Sequence, residues 1–252
     1  MTSAADIRAY VEARLRNRMP SALVLHDRLE APVIPTGVAA IDELTGGLPC
    51  AAITELCSNP VVTSGATSLL ISLLAKATQE HFCAVIDATD AFNPRWAHSA
   101  GAKLNRLLWV RCQEHQKKRL DSSRLDQALC ATDLLLKANC GFSLIVVDLE
   151  DISEKLLRQV TLDVWYRFRQ SAEKLSTALV FSTPAPVTGT ASSLLLRLES
   201  SHGEWMNTAT NSPPHAHILA RLECRAEVTR SRDRKKNIES ARMPFTSVRS
   251  WA

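Results

Sequence analysis

The run CSNPVVTSGATSLL, residues 57–70, sets Ser64 and Gly65 ahead of two further hydroxyls, Thr67 and Ser68. Glycine followed by hydroxyl residues at the mouth of a helix suits phosphate: backbone N–H groups face the anion and a Ser or Thr hydroxyl holds magnesium. A working loop of this kind reads GxxxxGK[ST], and its lysine ammonium neutralises the outer phosphates. Here the lysine position is Ala66, and counting back from Gly65 puts Pro60 at the first glycine. Proline has neither the backbone freedom nor the N–H that this position needs. A second stretch, FSLIVVDLEDI (142–152), is an apolar run that reaches a carboxylate at Asp148. Thr67 and Asp148 could together hold a magnesium ion. Equally, Asp148 could merely end a buried strand where it meets solvent. The vestigial nucleotide set is therefore Ser64, Gly65, Ala66, Thr67, Ser68 and Asp148, with no catalytic residue and no metal site expected. One electrostatic group aimed at transition-state charge is worth roughly 3–4 kcal/mol. Without the lysine, fast hydrolysis is not expected, and cofactor use shrinks to residual Mg–ATP binding.

Other candidates for chemistry are weaker. His215 and His217 form an HxH pair but lack further ligands at metal-site spacing, so they read as loop histidines. TSGATS is not GxSxG, and no histidine is placed to activate a serine. Trp165, Tyr166 and Phe168 alternate with Arg167 and Arg169, which could stack on bases but fits better a helix with one packed and one solvated face. Seven cysteines include no CxxC pair, and several sit inside apolar runs. They read as reduced core residues in a cytoplasmic protein.

The elements that must position these residues begin near residue 50. Short apolar runs at Ala51–Leu56, Phe82–Asp87, Leu107–Val110, Leu144–Asp148 and Ala178–Ser182 read as buried strands. Between them, Leu69, Leu70, Leu73, Leu74 and Ala77 share one helical face; Leu125, Ala128, Leu129, Thr132, Leu135 and Leu136 share another. This alternation predicts an α/β fold with a mostly parallel sheet flanked by helices. After Pro184 and Pro186, candidate strands at Leu194–Leu198 and Ile218–Glu227 suit antiparallel additions at one sheet edge, with a loop over His202–His217. The interval Leu149–Leu175 reads as mostly one helix and Thr183–Ser192 as a ten-residue loop. Three parts follow: an N-terminal helix and linker (1–32) with Ile7, Val11 and Leu15 on one stripe, a core domain (33–228), and a basic, flexible tail (229–252).

Net charge is +4, yet residues 221–252 carry nine Lys or Arg against four acids, leaving the rest close to neutral. Such a cluster could contact phosphates or an acidic protein surface, or could simply be solvated. Arg230, Arg232, Arg234, Lys235, Lys236 and Arg242 are its candidate DNA- or partner-binding residues. With 46% hydrophobic residues the chain can fill a core. No run of eighteen apolar residues and no signal-peptide pattern occurs, so no membrane association is expected.

Three stretches in order carry a resemblance. IPTGVAAIDELTGGLPCAAITEL (34–56) resembles the opening of the RecA core, with its TG–x–x–x–(I/L)D segment and GGLP-type turn; CAVIDATDAFNP (83–94) resembles that family's second strand; FSLIVVDLEDI has the form of its Walker B strand. The likeness covers roughly residues 33–200. It implies a P-loop NTPase type of fold, and it puts Thr89 where the family's second strand carries the glutamate that orients the attacking water. The intervals that hold the recombinase loops are short here. A degraded phosphate loop, absent recombinase loops and a basic C-terminal region together look similar to the ImuA group. That resemblance implies an accessory protein of SOS-induced translesion synthesis, acting with an ImuB-like polymerase-family protein and an error-prone replicative polymerase. RecA itself and single-stranded DNA are further partners it allows. Two other functions stay open: a slow nucleotide-dependent switch of RecA/KaiC type, and a RecA-like regulator of cell division.

Overall fold

A computed structural model describes residues 32–58, 64–112, 120–207, 217–231 and 242–248. The N-terminal helix read in 1–32, Pro60, His215, Arg232, Arg234, Lys235 and Lys236 lie outside those residues. In chain order the elements are β1 (Val33–Ile34), α1 (Ala39–Thr45), β2 (Leu48–Pro49), β3 (Ala52–Ser58), α2 (Ala66–Ala77), β4 (Phe82–Asp87), α3 (Pro94–Ser99), β5 (Leu107–Arg111), α4 (Leu120–Ala138), β6 (Phe142–Asp148), α5 (Glu154–Leu157), α6 (Leu162–Leu175), β7 (Ala178–Thr183), β8 (Leu194–Asn207), β9 (His217–Ser231) and β10 (Arg242–Val248).

Eight strands form one sheet in the order β10-β9-β8-β3-β7-β6-β4-β5; β1 and β2 form a separate antiparallel pair. From β8 to β5 all neighbours run parallel, whereas β9 and β10 are antiparallel. The expected mostly parallel sheet with an antiparallel edge is what forms. Both faces of its central strands are covered, which is why those strands are continuous apolar runs and not alternating ones. Along β4, β6 and β7, Cys83, Val85, Leu144, Val146, Ala178 and Val180 face a core shared with α1 and α2. The intervening Ala84, Ile86, Ile145, Val147, Leu179 and Phe181 face a second core shared with α4, α5 and α6. The predicted apolar face of α2 is buried throughout, from Leu69 to Ala77.

The TG–x–x–x–(I/L)D segment has a local physical basis. Thr36 N–H and Oγ1 both donate to Asp42 Oδ1 at 2.8 Å, closing the turn ahead of α1. Gly37 sits at φ +80°, and a Cβ there would lie 2.8 Å from Ser72 Oγ of α2. Only glycine allows both the left-handed backbone and that close approach.

Three expectations need correction. Beyond Leu198, β8 continues to Asn207, so residues 202–207 belong to a strand and not to a loop. The supposed tail from 229 contains the end of β9 and all of β10, which pairs with Arg221–Glu227 of β9. The reason lies in strict alternation: Leu222, Cys224, Ala226 and Val228 are buried, while Arg221, Glu223, Arg225 and Glu227 take the other face. Across the ladder Arg197 stands opposite Glu227 and Glu199 opposite Arg225, so opposite charges pair along the strands. Finally, 149–175 holds two helices, broken at Arg158–Thr161, where one was expected.

Trp165, Phe168 and Phe181 are fully buried beneath α6, with Trp165 edge-on to Phe181 at 5.0 Å between ring centroids. Packing, not base stacking, is their role. Trp165 Nε1 is buried and has no hydrogen-bond partner among the described residues. Trp165→Phe removes that donor and is expected to change stability by under about 1.5 kcal/mol. Trp165→Ala empties the site and should cost about 3–5 kcal/mol. Urea unfolding of both variants distinguishes the two contributions.

Candidate functional site

The polar groups of interest gather at the carboxyl ends of the parallel strands, the edge where open α/β sheets bind ligands. From β3 the chain reaches Ser64, which is buried, and then Gly65, whose φ of 80° caps α2 in the left-handed conformation. Ser64 Oγ accepts from Ala66 N–H at 3.2 Å. Ala66, at the lysine position, is 1% exposed and packs in the same core as Leu69 and Leu70. Thr67 is exposed and Ser68 half-buried. The segment therefore has the glycine turn and the hydroxyls of a phosphate loop, with a methyl group turned into the core where the cation would stand.

Asp87, at the end of β4, is fully buried and accepts five hydrogen bonds. Its Oδ1 takes Thr89 N–H, Thr89 Oγ1 and Ala91 N–H at 3.1–3.2 Å; Oδ2 takes Phe92 N–H at 3.1 Å and Trp109 Nε1 at 3.2 Å. This carboxylate organises the whole turn after β4. Thr89 Oγ1 also lies 3.3 Å from Asp148 Oδ2, so the residue at the water-orienting position bridges two carboxyl groups. Asp90, next along, has φ +57° and points away into a two-pronged ion pair with Arg111, both bonds 2.8 Å. The Arg111 guanidinium lies 4.9 Å from the Trp109 ring centre, and Phe92 meets the same ring edge-on.

Asp148 ends β6 with Oδ1 accepting Glu150 N–H at 3.2 Å. Burial, reinforced by the nearby Glu150 and Asp87 charges, pushes its carboxyl up to about 7. Glu150 is hydrogen-bonded by Ser58 and is also raised, chiefly by burial. Three carboxyl groups thus converge on one edge of the sheet. Among the described residues no His, Cys, Asp and Glu cluster has metal-site geometry. The arrangement does not fit a magnesium–nucleotide well. A triphosphate would meet carboxylates at this edge, and the Ala66 methyl offers no ammonium to offset its charge.

The remaining candidates are placed apart from this edge. Arg230 is half-buried in β9, and its Nη1 donates to Gly189 O and to Ser192 Oγ, so it braces a loop. Arg242 opens β10, its backbone opposite Glu227. Glu55, Trp109, Arg111 and Glu150 escaped the sequence reading. Glu55 had a usable signal, being a carboxylate inside the apolar run AAITEL.

Two tests address the site. Asp148 is raised above the ordinary carboxylate value of about 3.9, so the folded state binds its proton more tightly. Its contribution is fully present below about pH 4 and is lost as pH rises through about 7. Asp148→Asn should therefore stabilise the protein at pH 8 by on the order of 1–3 kcal/mol and change little at pH 4, as read from denaturant melts across pH. Thr89→Glu would bring a further carboxylate against Asp87 and Asp148. It should lower Tm and yield no ATP turnover, alone or with Ala66→Lys, as measured by thermal unfolding and phosphate release.

No family model matches the chain. Over 126 residues, 49% of its length, it is 34% identical to Protein RecA of Pseudomonas fluorescens (strain SBW25) and equally to Protein RecA of Pseudomonas syringae pv. syringae (strain B728a). Protein RecA of Pseudomonas putida is 32% identical over a stretch of the same size. In each case that stretch is 32% of the relative, so the chain spans about a third of the length of the curated relatives it matches. Across half its length the chain is thus a distant homologue of RecA, and it is built on a RecA-like α/β fold.

Proposed function

We propose that this protein is a non-catalytic, RecA-like accessory protein of the DNA-damage response, of ImuA type. It supports SOS-induced translesion synthesis by binding an ImuB-like polymerase-family protein and an error-prone replicative polymerase. The basic residues Arg232, Arg234, Lys235, Lys236 and Arg242 supply contacts to those partners or to single-stranded DNA. The observation that carries the reading is the conversion of two positions at once. Ala66 turns a methyl into the core where a phosphate-binding cation would stand, and Thr89 ties Asp87 to Asp148 where the water-orienting carboxylate would stand. A site altered at both positions is suited to holding its neighbours in shape and not to turnover. RecA homology supports the DNA-damage context.

Calorimetric titration with a magnesium–ATP analogue, run beside affinity capture from cells under DNA damage, tests the proposal. No heat at millimolar nucleotide, with capture of a polymerase-family partner that co-purifies at defined stoichiometry, is the expected result. Micromolar nucleotide binding abolished by Asp148→Ala would replace it with the nucleotide-switch reading, in which Thr67 and Asp148 hold magnesium. Absence of both a repair partner and single-stranded DNA binding would overturn it.

A further inference from the structure

The loop after β7 leaves the carboxyl end of the sheet and crosses back to the start of β8, and several of its polar groups are held by partners from the neighbouring strands β3 and β9. We propose that Thr183–Ser192 is a fixed strap built around an internal anion nest, in which the protein's own Glu55 is the anion and acts as the positioning residue. The inference is independent of the polymerase-binding role.

Glu55 lies in β3, between β7 and β8, and is 0% exposed. Its Oε1 accepts Val187 N–H at 2.7 Å, Thr188 N–H at 3.2 Å and Thr183 Oγ1 at 3.2 Å, while Oε2 accepts Thr188 Oγ1 at 2.5 Å. Successive peptide N–H groups converging with hydroxyls form the concavity that elsewhere binds phosphate or carboxylate from solution. Here a side chain from the neighbouring strand fills it. The next residues of the loop expose acceptors instead of donors, and a cation meets them: Arg230 Nη1 donates to Gly189 O and to Ser192 Oγ. Tyr166 of α6 closes the outer side through its hydroxyl, 2.6 Å from Thr190 Oγ1. The strap returns to the sheet where Ser193 N–H donates to Ile53 O at 2.8 Å. Donors of the first half thus face a buried carboxylate and acceptors of the second half face a guanidinium, each delivered by a rigid strand.

A loop whose polar groups are satisfied in this way gains little by rearranging for a ligand, since opening it strands Glu55 in the interior without partners. The nest reads acceptor geometry more than charge. In Glu55→Gln the amide oxygen could keep the three donors to Oε1, and the Thr188 hydroxyl could turn to accept from Nε2.

Residue-resolved amide hydrogen exchange on the full chain tests the strap. In the wild type the Val187 and Thr188 amides should exchange slowly, and should stay slow with saturating single-stranded DNA or magnesium–ATP. Glu55→Gln should retain that protection. Glu55→Ala should accelerate those two amides by roughly tenfold to a hundredfold, and added formate, but not chloride, should restore them. Arg230→Ala should speed exchange at Thr190–Ser192 and leave Val187 and Thr188 slow. Fast exchange at Val187 and Thr188 in the wild type, or its onset on adding DNA or nucleotide, overturns the proposal even if Glu55→Ala does not fold. Unchanged protection in folded Glu55→Ala, or a lack of rescue by formate, overturns the nest.

Discussion

A carboxylate withdrawn from water must recover its hydration from N–H and O–H groups of the protein, and four carboxyl groups of this fold are placed under that demand at or near one edge of the parallel sheet. Glu55, Asp87, Asp148 and Glu150 meet it in different ways. Asp87 and Glu55 are saturated by backbone amides, hydroxyls and one indole. Asp148 has fewer donors and two acidic neighbours, and its carboxyl holds its proton to about 7. The turns after β4, β6 and β7 take their shapes from satisfying these groups.

Among the described residues, several donors at or near this edge are taken up by the protein's own carboxyl groups. Thr89 links two carboxyls, Ser58 holds Glu150, and the amides of Val187 and Thr188 hold Glu55. RecA-like architecture is kept because it is a packing solution, two helical layers on a sheet with both faces apolar, and packing does not depend on the site residues.

The antiparallel extension follows a different rule. Strands β8 and β9 bury Leu196, Leu198, Leu222, Cys224, Ala226 and Val228 on one face, and they carry Arg197, Glu199, Arg225 and Glu227 on the other. Charges of opposite sign stand across the ladder, so part of the basic surplus that begins at Arg221 is offset by acids brought alongside by register. What looks like a charged tail in one dimension is, over Arg221–Ser231, a solvated sheet face.

By itself the sequence determined the layered fold, because buried parallel strands must be apolar throughout and their helices must repeat every 3.6 residues; both periods are visible locally in FCAVID, SLIVVD and LLISLLA. Through its resemblance to the RecA core it also brought Ala66 and Thr89 forward as positions to inspect, since a motif position can be read without coordinates. Tertiary structure alone decided where the satisfied carboxylates find their donors. Glu55 meets Thr188 across 133 positions of chain, and Thr89 meets Asp148 across 59. It alone decided that Arg230 braces a loop and that residues 242–248 pair with β9. Those pairings depend on strand order and register, and no periodicity within either segment encodes which distant segment will lie beside it.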